Sequence, residues 1–362
     1  MKIVCPHCRT AYNISEQLLP DRETIIFNCR KCGGQIRFPR PSTGADRSRP
    51  VSPGQDTPRQ EDGQIQVPAQ QDPAKVRALK SKIRMCLMGF IPPVAHVIAK
   101  AQSVMADPYS GLKDLVEVIE TDQGITSNAL RLANSAYYGL SGKVTSIGHA
   151  SVLLGNKLIG EIIATAGARG LLGENLRGYG LKSGTLWRHS LAVAVGSKLL
   201  ASRKRPELEP DAFVAGLLHD AGMIMLDPHI FERKEQFDEA MAGGQKTFLE
   251  AERMVLGLDH CEVAAEMFGE WGLPRALLKS VAHHHRPISS GGMLGYVVHL
   301  ADIMARNCGC GTGVDDLLCI PDNKALAFLD FEEESLTALY PEIKESVEKL
   351  TSGMINDDDA PS

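Results

Sequence analysis

Leu217-Leu218-His219-Asp220-Ala221-Gly222 ends an apolar helical run and sets an imidazole beside a carboxylate. Neighbouring helix positions lie about 100° apart, so both side chains can approach one cation only at a helix edge. Four further stretches supply groups of the same kind. Trp187-Arg188-His189-Ser190 opens an amphipathic helix, and Asp259-His260 precedes the helix start Glu262-Val263-Ala264-Ala265. His283, His284 and His285 follow a helix that begins at Leu273-Pro274, and Leu300-Ala301-Asp302 sits on another apolar helix. Inward-facing imidazoles and carboxylates from separate helices are how all-α proteins build one- or two-metal sites.

Outward from this series the chain is helical from about residue 78. Leu115, Val116, Val118 and Ile119 form one apolar stripe. Leu153, Leu154, Leu158, Ile159, Ile162 and Ile163 form a second, and Ala192, Val193, Val195, Leu199 and Leu200 a third. These follow the 3.6-residue period, and no alternating strand pattern follows residue 80. Residues 41–77 hold almost no large apolar side chains, so burial cannot offset their conformational entropy and they read as a disordered linker. The expected organisation is mainly α. A β-rich ribbon at 1–40 and the linker precede a helical domain at 78–315, a helical extension packed on it at 316–352, and an acidic tail at 353–362.

Composition narrows the class. Hydrophobic residues make up 43% of the 362 and aromatics 5%, which suits helix packing better than a sandwich or barrel. The formal net charge of −5 gives no bulk attraction for nucleic acid. No apolar run approaches the roughly 18–20 residues that cross a bilayer, and Met1-Lys2-Ile3-Val4-Cys5 lacks a signal-peptide core. Cys86, Cys261, Cys308, Cys310 and Cys319 are an odd set scattered through helical sequence, which reads as reduced thiols and a cytoplasmic protein.

The other four cysteines form a metal pattern. Cys5-Pro6-His7-Cys8 and Cys29-Arg30-Lys31-Cys32 are two CxxC turns separated by 20 residues, the arrangement of a tetrahedral four-thiolate zinc site. A unit of this size has too small a core to fold unaided, so metal binding serves as folding energy. With Tyr12 and Phe38 between and after the knuckles, the segment resembles the short zinc ribbons found at the N-termini of many bacterial regulatory proteins. Its local balance is positive, Lys2, Arg9, Arg22, Arg30, Lys31, Arg37 and Arg40 against Glu16, Asp21 and Glu23. Protein docking or a purely structural role is the main expectation for it, with nucleic-acid contact the lesser one.

The order His189, His219-Asp220, Asp302 resembles the HD phosphohydrolase superfamily. More narrowly, the chain is similar to the HDOD domains, the HD-related output domains. Asn134-Ser135-Ala136-Tyr137-Tyr138-Gly139, Leu217-Leu218-His219-Asp220 and His260-x-Glu262-Val263-Ala264-Ala265 carry that likeness. Trp271-x-Leu273-Pro274 and His284-His285-x-Pro287 extend it, from about Ile91 to about Arg306. The resemblance implies a regulatory, signal-transducing role with a protein partner or a nucleotide-like ligand. It also implies one metal position at His189, His219, Asp220 and Asp302, and a second at His260, His284 and His285. Iron, manganese or magnesium are the candidate ions. The alternative implied is a metal-dependent phosphohydrolase acting on a nucleotide or phosphomonoester, with Arg286 as a phosphate contact; no catalytic residue is assigned. The related cyclic-dinucleotide phosphodiesterases carry a lysine where this chain has Met223, and a Gly-Tyr-Pro loop it lacks after His285, which argues against that route. The remaining histidines, His96, His149, His229 and His299, read as packing or surface residues.

Overall fold

The computed structural model describes residues 2–4, 11–13, 24–28, 35–39, 73–89, 93–107, 109–242, 246–287, 292–313 and 323–354. The four ribbon cysteines, residues 40–72 and the acidic tail from 355 lie outside them. The chain divides into two compact units, 1–75 and 76–362.

The first unit contains two antiparallel strand pairs. β1 (Lys2–Val4) pairs with β2 (Ala11–Asn13), placing Ile3 opposite Tyr12. β3 (Thr24–Asn28) pairs with β4 (Gln35–Pro39), placing Ile25 opposite Phe38.

The second unit is helical throughout its described residues, apart from turns and one isolated Leu176–Leu181 bridge. Its leading helices are α1 (Pro73–Gly89), α2 (Pro93–Ala106), α3 (Leu112–Glu120), α4 (Gln123–Ala133) and α5 (Ile147–Leu172). The central group is α6 (Thr185–Lys204), α7 (Glu209–Leu218), α8 (Gly222–Phe231), α9 (Lys234–Met241) and α10 (Phe248–Leu256). It continues with α11 (His260–Glu270), α12 (Arg275–Ala282) and α13 (Gly292–Ala305). The closing helices are α14 (Asn323–Leu329), α15 (Glu333–Thr337) and α16 (Tyr340–Ser352). The first helix thus begins at Pro73, inside the segment expected to be linker. Proline has no N–H to lose at the start of a helix, and the following Ala74-Lys75-Val76-Arg77 extends it.

Local chemistry fixes the helix starts. Asp122, Ser146, Thr247 and Asp259 each accept a backbone N–H from the first turn of the following helix. Packing then orders the bundle around α6, which is apolar on nearly every side, so only a central position buries it. It packs chiefly against α7 and α13, and α16, whose Ile343, Val347 and Leu350 are buried, also packs on it. The α6–α7 approach requires glycine at 216, where a Cβ would lie 2.7 Å from the Val193 carbonyl oxygen.

Asn134 caps α4 and ties it to the loop before α5. Its amide donates to the carbonyls of Leu130 (2.8 Å) and Val144 (2.9 Å), and its oxygen accepts the Val144 N–H (2.8 Å). Asn134→Ala is expected to cost about 2 kcal/mol, since each bond contributes roughly 0.5–1.5 kcal/mol, read from urea unfolding. A loss under about 0.5 kcal/mol would show that water replaces these bonds.

Candidate metal centre

The chemistry-bearing residues come from five separate helix segments. His189 projects from the first turns of α6, and His219 is the C-cap of α7 with Asp220 next to it. His260 is the first residue of α11, held there by the Asp259 cap. His284 and His285 occupy the turn after α12, and Asp302 lies on α13. The α7–α8 corner reaches α11 because residue 222 is glycine: a Cβ there would stand 2.0 Å from the His260 carbonyl oxygen. The His219-Asp220-Ala221-Gly222 run therefore carries both the functional pair and the close contact that sets it against His260.

Three imidazoles are oriented by backbone carbonyls through Nδ1. His219 Nδ1 lies 2.8 Å from the Gly216 oxygen, His284 Nδ1 2.8 Å from that of Val281, and His189 Nδ1 3.0 Å from that of Cys310. A carbonyl only accepts, so Nδ1 carries the hydrogen and the neutral ring presents a bare lone pair at Nε2. The Nε2 atoms of His189, His219 and His284, and Oδ1 of Asp220, are buried and find no hydrogen-bond partner of proper geometry among the described residues. Unpartnered buried polar atoms are costly and call for an explanation.

They converge on Asp220, whose two oxygens face opposite ways. Oδ2 lies 3.1 Å from His219 Nε2 and 3.6 Å from His189 Nε2; Oδ1 lies 3.3 Å from His260 Nε2 and 3.4 Å from His284 Nε2. Asp302 Oδ1 joins the first side, 3.1 Å from His189 Nε2 and 3.9 Å from His219 Nε2, and accepts from Arg306 Nε at 2.8 Å. His285 joins the second side through Nε2, 3.1 Å from His260 Nε2. The seven metal residues expected from the sequence thus lie together in two groups that share Asp220. His283 belongs to neither group. Arg286 is exposed just beyond the paired histidines.

The electrostatics match a cation site. Burial works against charge on Asp220 and Asp302, but the former's histidine neighbours and, for the latter, Arg306 and His189 outweigh it, leaving both carboxyls well below the usual range. Burial also disfavours protonated His284, yet the Cys261 sulfur and Asp220 push it up from 6.5 to about 10. His260 is likewise raised by Cys261 and Glu252 against burial, and His189 by Asp302 and Asp220. His219 and His285 are lowered, chiefly by burial. Without metal the cluster neutralises its carboxylates with protons; a divalent ion would replace them. Bare imidazole nitrogens and carboxylate oxygens suit a divalent transition ion, and each ring's Nδ1 bond is the outer-shell orientation such a ligand needs.

Five contributors escaped sequence reading. Arg306 pairs with Asp302 at the i,i+4 spacing of a helical ion pair, a signal available in the sequence. Glu252 and Tyr179 stand behind His260, and Glu252 lies four residues from Phe248 and from Leu256, on the buried face of α10. Cys261, read as a reduced thiol, has its sulfur 3.7 Å from His284 Nδ1. His299, read as packing, places Nδ1 2.8 Å from the His284 carbonyl oxygen.

Among the described residues no helix is long and apolar enough to cross a membrane. Residues 1–37 match a zinc-ribbon domain. An uncharacterized protein of Treponema pallidum (strain Nichols) is 22% identical over 196 residues, 54% of this chain and 37% of the relative's own length. An HDOD domain protein of unknown function from Geobacter sulfurreducens superposes with a TM-score of 0.62 at 26% identity, covering 76% of this chain and 99% of that one. A candidate phosphohydrolase from Shewanella amazonensis SB2B shares the fold, with a TM-score of 0.56 at 22% identity, covering 77% and 98%. A candidate signal transduction protein from Marinobacter aquaeolei VT8 does so with a TM-score of 0.62 at 18% identity, covering 77% and 65%. The HDOD domain itself is matched over residues 91–287, more than half of the chain and the whole stretch from α2 to the paired histidines, and the chain belongs to the HDOD family.

Proposed function

We propose that this chain is a regulatory protein of signal transduction whose HDOD bundle holds divalent metal in its core and binds a protein partner or a nucleotide-like ligand, with the zinc ribbon as a second interaction module. The observation that carries the metal reading is the set of buried, unpartnered Nε2 and Oδ1 atoms around Asp220. Their depth favours regulation over hydrolysis. His189, His219 and His284 are 0% exposed, and Asp220 and Asp302 3%. A hydrolytic centre must admit a phosphate group and its water, whereas ions held this deep tie α6, α7, α11, α12 and α13 into one arrangement. A partner that favoured that arrangement would sense the metal state through the fold.

One observation favours a second reading, metal-dependent hydrolysis of a nucleotide or phosphomonoester. The donor set is complete for two positions, and His285 is only part-buried, which leaves one edge towards solvent. A divalent ion there would supply water activation beside phosphorus.

Metal analysis of the full-length chain, paired with phosphatase and phosphodiesterase assays, separates the two. Zinc lost in Cys29→Ser belongs to the ribbon, and metal lost in His219→Ala belongs to the bundle. The expected result is at least one bundle ion per chain and no turnover. Turnover abolished by Asp220→Ala would establish the hydrolase instead, and a wild-type bundle free of metal would overturn the metal reading.

A further inference from the structure

The imidazoles are oriented by two kinds of acceptor. His189, His219 and His284 direct Nδ1 at neutral carbonyls, whereas His260 directs it at a carboxylate. Glu252 is 0% exposed, and both of its oxygens are engaged. Oε2 accepts the His260 backbone N–H at 2.8 Å and lies 2.8 Å from His260 Nδ1. Oε1 accepts the Tyr179 hydroxyl at 2.7 Å and lies 2.9 Å from the same Nδ1. Tyr179 is itself wedged edge-on against Phe237 and Phe248, at 5.5 and 5.3 Å between ring centres. An ionised carboxylate only accepts, so the Nδ1 of His260 must be the donor, and Nε2 is left to face Asp220 and His285.

Charge gives this arrangement a purpose. On the first side, Asp302 contributes a carboxylate whose charge Arg306 offsets. On the second side, Asp220 turns one carboxylate oxygen to the Nε2 atoms of His260 and His284, at 3.3 and 3.4 Å. Burying a carboxylate is costly unless its surroundings satisfy it, and here the backbone N–H and Nδ1 of His260 and the Tyr179 hydroxyl do so.

We propose that Glu252, locked by Tyr179, is a positioning residue that presents His260 Nε2 as the anchor of the second metal position, for a divalent transition ion. The proposal rests on the metal-holding reading above. Glu252 does not touch the ion; it fixes the ring, keeps the hydrogen on Nδ1 and lends negative charge through the imidazole.

Equilibrium dialysis of the full-length chain against Mn2+ tests this, because the four ribbon sulfurs favour softer ions and the bundle is counted alone. His260→Ala identifies the ion that depends on His260. Glu252→Ala is expected to weaken that same ion about 10- to 100-fold, the usual effect of losing an outer-shell partner, and to leave the other ion unchanged. Glu252→Gln, which keeps an acceptor for Nδ1–H, is expected to recover affinity to within about tenfold of wild type. Unfolding temperatures verify the fold, and if Glu252→Ala does not fold, Glu252→Gln carries the test through selective weakening of the His260-dependent ion. Wild-type affinity for that ion in Glu252→Ala, or in Glu252→Gln when it alone folds, would overturn the assignment, as would equal weakening of both ions, the mark of a merely structural role. A wild-type chain that binds no Mn2+ would instead remove the metal-holding reading, and this assignment with it.

Discussion

Asp220→Ala is expected to strip the helical unit of bound metal and to cost about 3–5 kcal/mol of stability even in chelator-treated protein, the range for removing one partner of a buried ion pair. The carboxylate lies within 3.6 Å of four imidazole nitrogens from α6, the α7 corner, α11 and the turn after α12. Its two oxygens face the two groups, Oδ2 the first and Oδ1 the second. Its loss removes one of the negative charges that hold protons on His260 and His284, beside the Cys261 sulfur and, for His260, Glu252. The pH dependence has a definite sign. His284, raised from 6.5 to about 10, contributes stability that is fully present below 6.5 and fades as pH rises through about 10. Asp220, held well below its ordinary 3.8, contributes stability present above that value and lost as acid protonates it. The gap between wild type and Asp220→Ala should therefore be widest around neutral to mildly acidic pH and narrow towards both extremes. Urea unfolding of the chelated proteins across pH measures it, and a gap below about 0.5 kcal/mol at every pH would show that the imidazoles pair among themselves.

Gly222→Ala comes next in size. The added methyl would stand 2.0 Å from the His260 carbonyl oxygen and 2.9 Å from the Ala264 backbone nitrogen, so backbone must move. Overpacking of this kind costs roughly 1–3 kcal/mol, and more where the obstacle is backbone; about 3 kcal/mol is expected here. The displacement also separates α8 from α11, so His260 shifts relative to Asp220 and its ion should weaken along with the fold. Thermal unfolding and Mn2+ dialysis read the two effects together. A variant as stable as wild type would mean that the corner closes without this contact.

Which residues were legible in the sequence follows from how local their signals are. His219-Asp220 declares itself by adjacency at the end of an apolar helix, and Asp302 by being a lone carboxylate in Leu300-Ala301-Asp302. The helical stripes around Leu115, Ile159 and Val193 are likewise local; these three residues are buried in the core, whereas Leu153 of the second stripe is 53% exposed. Glu252 is hard to read because charged residues in short amphipathic helices usually face solvent, and the neighbouring Glu250 does the expected job of completing the Thr247 cap. Only the bundle's tertiary arrangement brings Glu252 to His260 and Tyr179, which is 73 residues away in the chain. Arg306 was visible as an i,i+4 partner of Asp302, but that spacing is so common on exposed helices that it carries little weight until both groups prove buried. The choice among three consecutive histidines follows from the turn geometry after α12, which brings His284 and His285 to His260. The start of α1 is hard to read because Pro73 fits linker composition, yet its missing N–H costs nothing at a helix start, where the first N–H groups have no intrahelical partner.

Crystals of the full-length chain grown with Mn2+ and recorded at the manganese absorption edge address the central claim most directly. Two anomalous peaks flanking Asp220 are expected, one among His189, His219 and Asp302 and the other among His260, His284 and His285. An ordered helical core with no anomalous density beside Asp220 would contradict it.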